Sequence, residues 1–329
     1  MTDVAPRDPV AEGTPTTEAD EQGSAASAGL PTTTEAAEAI DRPRRGYRRV
    51  LGIGLIVAGL AVLWEVAKWL GGDPWRLESI GYFHDPPFQL LQLTDLQLPH
   101  VWDIFAAFGE PFQRNAEYSL GGYLFDQALY TGQEAIIGFV LGTIIGIVLA
   151  SAFVHFGLLE RAFVPYVVAS QTVPIVALAP LIVSGFGRGL TSVVIIATYL
   201  TFFPVTIAVM RGLRSPDPRA VELMRSYAAS RWDVYRKVRL PASVPYLFTA
   251  LKIAAAASVV GTIIGEGPGG VPNGLGRAIL TFNQQYITGP EKLWAAIFVA
   301  ALLGISFFVL VRIAEVLVLR RRGQREVQA

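Results

Sequence analysis

Apolar residues gather into six long runs along the chain, approximately Val50 to Leu70, Ala135 to Phe156, Ala162 to Phe186, Leu190 to Met210, Ser243 to Ile264 and Leu293 to Leu319. Each is about one bilayer crossing, since ~20 helical residues rise through ~30 Å of hydrocarbon. Six such runs are more than the core of a soluble protein of this size holds. Helices satisfy their own backbone groups in lipid, and the alternating ten-residue strands of a barrel are absent. The pattern therefore predicts an all-α membrane protein with six transmembrane helices.

The polar stretches divide the rest. Residues 1–41 are rich in Thr, Ala, Glu, Pro and Gly, hold no aromatic residue and carry Arg7 as their only basic one. This composition predicts a disordered tail, and it lacks the basic start and apolar run of a secretory signal. Residues 42–70 form a basic flank and the first span. Between the first two spans, 71–130, Val101, Ile104, Phe105 and Phe108 recur at helical spacing behind Pro99 and predict an amphipathic helix. A second, partly immersed helix is expected at Tyr118 to Glu134, leading into the second span. Residues 131–320 make the core of five spans, and 321–329 a short tail.

Only 16% of the 329 residues are charged and 52% are hydrophobic, against roughly 25% charged in soluble domains. The formal net charge is zero, but its distribution is uneven. Arg42, Arg44, Arg45, Arg48 and Arg49 precede the first span, and Arg320, Arg321, Arg322 and Arg325 follow the last. Residues 211–239 hold eight basic and three acidic side chains, whereas 71–130 hold two basic and eight acidic ones. The positive-inside bias then places both termini and 211–239 in the cytoplasm and 71–130 outside.

Several chemistries have no residues to support them. There is no cysteine, which removes thiolate nucleophiles and cysteine metal sites. His84, His100 and His155 form no metal-binding pair at motif spacing. None of Lys68, Lys237, Lys252 and Lys292 follows the glycine of a phosphate-binding GxxxxGK loop, so ATP hydrolysis by this chain is not expected. No cofactor, metal or nucleic-acid partner is expected, nor an enzymatic activity.

The connection 215–241 reads as two short helices. Asp217 can cap the first, with Pro218 at the position where a missing N–H is harmless. Ala228-Ala229 permits a turn, Ser230 with Asp233 makes a capping box, and Leu240-Pro241 is expected to end the second helix. A rigid helix–turn–helix exposing Arg225, Arg231 and Arg236 between two spans suits a docking knob; a basic linker lying on anionic lipid is the plainer alternative.

At these residues the chain resembles the permease family of binding-protein-dependent ABC importers. The family hallmark is a cytoplasmic Glu-Ala-Ala motif, a Gly six residues after the Glu, and a later Ile-x-Leu-Pro. Glu222 takes the Glu place and Val238-Arg239-Leu240-Pro241 the ending. Leu223 and Met224 stand where the paired alanines would be, and Ala228 replaces the glycine, which makes a left-handed turn there costlier. The resemblance covers about residues 95–320 and implies a type I importer-like permease in the bacterial cytoplasmic membrane. It implies a coupling helix, carried here by Glu222, Leu223, Met224, Arg225, Ala228, Ser230, Arg231, Leu240 and Pro241, seated in a groove of an ATPase subunit. The implied partners are ABC ATPase subunits holding ATP and Mg, a second permease copy or homologue, and an extracytoplasmic substrate-binding protein. A secondary transporter driven by an ion gradient is the rival; it would favour inverted repeats and acidic residues near the midplane.

The third span contains Pro174 and Pro180, whose missing N–H groups predict a kink bordering a cavity. Gln171, Thr172, Pro174, Tyr199, Thr201 and Pro204 are the candidates for the translocation path, with ordinary helix packing as the alternative. Lys252, Arg312 and Glu315 interrupt apolar runs; Arg312 and Glu315 can pair, or all three can snorkel to the cytoplasmic edge. From Glu266 to Arg277 the Gly and Pro density predicts that the helix stops and a re-entrant hairpin or a surface for the binding protein follows. Its Gly274-Leu275-Gly276 with Glu266 upstream resembles the nitrate, sulfonate and vitamin-precursor branch. Within it, Gly-Glu-Gly-Pro-Gly-Gly and Asn283-Gln284-Gln285-Tyr286 lean toward riboflavin or thiamine-pyrimidine carriers over sulfonate, taurine or nitrate ones.

Overall fold

The computed structural model describes residues 33–77, 82–88, 90–113 and 118–326. The long helices are α1 (Thr33–Gly71), α3 (Leu120–His155), α6 (Leu190–Leu213), α9 (Leu240–Gly269) and α11 (Pro290–Glu326), with shorter α2 (Val101–Ala107), α4 (Gly157–Ser170), α5 (Ile175–Phe186), α7 (Pro218–Ser226), α8 (Arg231–Val234) and α10 (Leu275–Gln284) between them. A small antiparallel hairpin, β1 (Trp75–Leu77) with β2 (Tyr82–His84), follows α1. Two compact units divide within α1, at Val62 and Leu63. The part of the expected tail at 1–32 lies outside the described residues, whereas α1 already includes 33–41. At the other end α11 runs to Glu326, and 327–329 lie outside.

Among the described residues, five helices are long and apolar enough to cross a membrane, or six if the α4–α5 pair, bent by 106°, is counted as one broken span rather than a re-entrant loop. The single crossing expected over Ala162 to Phe186 is therefore two helices. Pro174 sits at the start of α5 with φ −61° and ψ 118°, outside helical space, and a proline disfavours helical geometry in the residue before it. The helix expected at Tyr118 to Glu134 is not separate: it is the first part of the 36-residue α3, started by Ser119, whose Oγ accepts the Gly122 N–H at 3.2 Å.

Two glycine ladders set the centre of the bundle. Gly138, Gly142 and Gly146 of α3 lie one turn apart and face Ala197, Thr201 and Val205 of α6; a Cβ on Gly142 would stand 2.5 Å from the Thr201 Cβ. Gly261, Gly265 and Gly269 of α9 pack on Val193 and Ala197 of α6, where a Cβ on Gly261 would stand 2.9 Å from the Ala197 Cα. Lipid gives little hydrophobic drive for helices to associate, so close backbone approach and dispersion contacts hold such helices together. α6, which carries Tyr199 and Pro204, is thus packed closely against both α3 and α9.

Below this clamp, near the ends of α3 and α6, Phe153, Val205, Val209, Leu213, Tyr235 and Ala254 form one buried cluster. At the far end, Ile104, Leu120, Leu124, Leu275, Phe282 and Ala296 form another. α2 joins the far cluster through Ile104 and Ala107, the helix that the spacing behind Pro99 predicts. The segment before it is clasped to the end of α1. Lys68 is fully buried and donates to Asp95 and to the Leu98 carbonyl. Glu65 accepts the Val101 N–H at 2.8 Å and lies 2.7 Å from His100 Nδ1.

The ionisable residues in the spans pair otherwise than the sequence spacing suggests. Lys252 of α9 donates to both carboxylate oxygens of Glu315 in α11, at 3.0 and 2.8 Å, so the Arg312–Glu315 pairing is replaced by a link between two helices. Spacing within one helix made Arg312 a neighbour of Glu315, but packing of α9 on α11 brings a nearer cation.

Candidate functional site

The helix–turn–helix between α6 and α9 is built as its local chemistry dictates. Asp217 accepts the Arg219 N–H at 2.8 Å, with Pro218 opening α7. The reciprocal capping box of Ser230 and Asp233 opens α8, and Lys237 pairs with Asp233 at 3.2 Å. Between the helices the chain turns through Ala228, a non-glycine residue with φ 54°. The Ala229 N–H donates to the Met224 carbonyl at 3.0 Å and the Ala228 N–H to the Arg225 carbonyl at 2.9 Å. These are the two bonds of a Schellman motif with alanine in the left-handed place that glycine usually occupies.

Leu240-Pro241 does not end the second helix. Tyr235–Arg239 forms one widened π turn that leads directly into α9, the Leu240 N–H bonding back to the Tyr235 carbonyl. Pro241 has no N–H and its ring crowds the carbonyl four residues back, which a widened turn relieves without breaking the helix. The short helix α8 and the membrane helix α9 thus form one lever. Glu222, Leu223, Met224, Arg225, Ala228, Ser230 and Arg231 all lie on the projecting part, with Leu223, Tyr227 and Trp232 exposed by 59%, 79% and 62%. At its base Arg214 makes a two-pronged ion pair with Glu160 at the start of α4, one arm at 2.7 Å. The handle is therefore fastened to both α9 and the bent pair.

The path candidates separate into two groups. Gln171, Thr172 and Pro174 lie in the α4–α5 bend and are exposed. The Tyr199 hydroxyl donates to the Ser170 carbonyl, holding α6 against that bend. Pro204 is partly buried within α6. Thr201 is a correction: it is fully buried against Gly142, and its hydroxyl donates to the Ala197 carbonyl at 2.8 Å. Facing α3, it is a packing residue with no open surface to offer a solute.

Glu266 corrects the expectation for the far end. α9 continues through Pro268 to Gly269 and then turns sharply into α10. Glu266 is fully buried rather than at a surface. Its carboxylate accepts the Thr131 hydroxyl at 2.6 Å and the Gly276 N–H, while Thr131 accepts the Leu275 N–H at 2.7 Å and Gln127 the Gly274 N–H at 2.6 Å. A Cβ on Gly274 would come within 2.3 Å of the Glu266 carboxyl carbon, and one on Gly276 within 2.1 Å of the Ile263 carbonyl oxygen. Gly-Leu-Gly is thus a tight lid over a buried carboxylate. Sequence reading missed Gln127 and Thr131, which lie one turn apart on α3; two polar residues at that spacing ahead of an apolar run were the available signal.

A family model described as the binding-protein-dependent transport system inner membrane component matches residues 142–321, which include the bend, the handle and the lid. The chain belongs to this family. The formylaminopyrimidine transport permease protein ThiX of Halalkalibacterium halodurans is 35% identical over 81% of this chain and 94% of its own length. The riboflavin transport system permease protein RibX of Chloroflexus aurantiacus is 34% identical over 60% of this chain and 73% of its own. The putative aliphatic sulfonates transport permease protein SsuC of Bacillus subtilis is 27% identical over 64% and 75%. This chain is thus the permease subunit of an ABC importer, a multi-pass membrane protein whose task is transport. The permease has helical spans and a capped handle, and among the described residues no cluster of His, Asp and Glu is placed to hold a metal ion.

Proposed function

We propose that this permease moves a small heteroaromatic vitamin precursor inward, and that its handle converts closure of ATPase subunits into movement of the spans. The observation that carries the coupling part is the handle itself: two capped helices, continuous with α9 through the π turn and ion-paired to α4 through Arg214 and Glu160. A pull on Leu223 or Tyr227 is delivered at once to α9 and to the bent pair, and the bend at 171–174 is the hinge that switches sides. ATP and Mg belong to the ATPase subunits. Both termini and the handle face the cytoplasm, in keeping with the basic residues that flank them. A second permease copy or homologue completes the pore by covering the exposed apolar residues of the bent pair, such as Tyr166, Val176 and Leu181. An extracytoplasmic binding protein delivers the solute and does much of the selecting.

The substrate class follows two relatives named for formylaminopyrimidine and riboflavin transport; both solutes contain planar nitrogen heterocycles. Gln171, Thr172 and Tyr199 supply amide, hydroxyl and aromatic surfaces suited to such rings. Uptake into vesicles holding the whole transporter tests both parts. Deleting Met224 to Arg231, or changing Glu222→Ala, should abolish ATP-driven uptake while the protein still inserts; undiminished uptake overturns the coupling role. Competition by formylaminopyrimidine or riboflavin should block uptake, and competition by alkyl sulfonates alone would replace the substrate class.

A further inference from the structure

Behind the handle lies a cavity of about 380 Å³, lined by Val154 and His155 at the end of α3, Val221 and Arg225 of α7, Ala229 and Arg231 at the turn, and Val234, Tyr235 and Arg239 of the lever. Three arginines line it and no acidic residue does. Glu222, beside Val221 on α7, does not line the cavity, Asp233 is held in its capping box and Lys237 pair, and Glu160 in its pair with Arg214. Among the described residues none of Arg225, Arg231 and Arg239 forms an ion pair. Like charges gathered around one hollow repel one another unless an anion joins them.

We infer that this cavity binds a phosphate group. Guanidinium forks match phosphate oxygens in pairs, and three forks around a group bearing up to two charges suit phosphate better than a single carboxylate. The cavity lies between α7 and the lever, with Arg225 and Arg231 of the handle in its wall. At 100° per residue, Val221 and Arg225 share one side of α7, while Leu223 points from the opposite one. It also lies at the end of α3, just ahead of the exposed apolar residues Phe156 and Leu158, 61% and 82% exposed. Exposed apolar residues beside a basic hollow suit the boundary between hydrocarbon and headgroups, so an anionic headgroup is one source; a soluble phosphate compound is the other. A bound phosphate would bridge α7 to the lever and brace the two parts of the handle.

The test uses the full chain without any ATPase, so failure of the coupling role leaves it unaffected. Inorganic phosphate and sn-glycerol 1-phosphate are titrated calorimetrically against the protein in neutral detergent. In parallel, native mass spectrometry counts lipids kept from bilayer discs of phosphatidylglycerol and of phosphatidylcholine. Arg225→Gln and Arg239→Gln should each weaken phosphate binding about tenfold or more, as loss of one charge-assisted contact does. Arg219→Gln, which removes an equal charge from an exposed residue of α7 outside the cavity, should change it less than threefold. Retention of phosphatidylglycerol that both cavity variants abolish identifies a lipid headgroup as the source; phosphate binding with no lipid retained identifies a soluble one. Absence of binding by every probe, or equal losses in all three variants with circular dichroism unchanged, overturns the site.

Discussion

Replacing Ala228 by glycine should stabilise the handle, and the size of the effect follows from its backbone. At φ 54° Ala228 sits in the left-handed region, which costs a residue with a Cβ roughly 1–2 kcal/mol. Glycine avoids that cost but loses more freedom on ordering, about 0.5–1 kcal/mol. The net gain is about 0.5–1 kcal/mol, and both Schellman bonds, to the Met224 and Arg225 carbonyls, remain available. Local opening of the turn should therefore become roughly two- to fivefold rarer. Hydrogen exchange reads this directly: the amides of residues 228 and 229, after correction for their intrinsic rates, should exchange two to five times more slowly in Ala228→Gly. Ala228→Val, with branching at Cβ, should speed them. Exchange that is unchanged or faster in the glycine variant would refute the left-handed turn and the geometry of the handle with it.

Other expectations concern the clamp, the lid and the ion pair. Gly142→Ala forces its Cβ into Thr201 and should destabilise the bundle by about 1–3 kcal/mol, seen as a lower thermal midpoint in detergent. Glu266→Gln turns one acceptor oxygen into a donor facing the Thr131 hydroxyl or the Gly276 N–H; loss of about 1–3 kcal/mol, with faster exchange at the start of α10, should follow. Lys252→Met should cost on the order of 3 kcal/mol by stranding Glu315, and adding Glu315→Met should recover most of it in denaturant unfolding.

Much of the fold is legible from local pattern, because the signals are local. Apolar run length predicts the spans, and Asp217, Pro218, Ser230 and Asp233 predict the capping of the handle almost bond for bond. Continuity across Leu240-Pro241 is not legible in that way, since whether a proline ends a helix or is absorbed by a π turn depends on what packs around it. The bend at Pro174 could be foreseen as a kink, but not its 106°, which is set by neighbouring helices. The glycine ladders were in plain view as small residues every fourth position on α3 and α9. Their meaning depends on the partner, α6, which no single helix reveals. The same holds for Thr201, polar in a row of apolar residues yet turned toward Gly142, and for Glu266, which reads as a loop residue until Gln127 and Thr131 are brought to it from more than a hundred positions away.

On the proposed function, an ATPase grasps the handle from inside the cell. The sequence contains no cysteine, so Tyr227→Cys, at a site 79% exposed in the free chain, places a single thiol on the handle. Labelling with a membrane-impermeant maleimide should modify it in inside-out vesicles and not in intact cells. Docked ATPase should shield it, and a short bifunctional reagent should link the two chains. Labelling in intact cells, or full labelling that the ATPase never diminishes, would contradict the account.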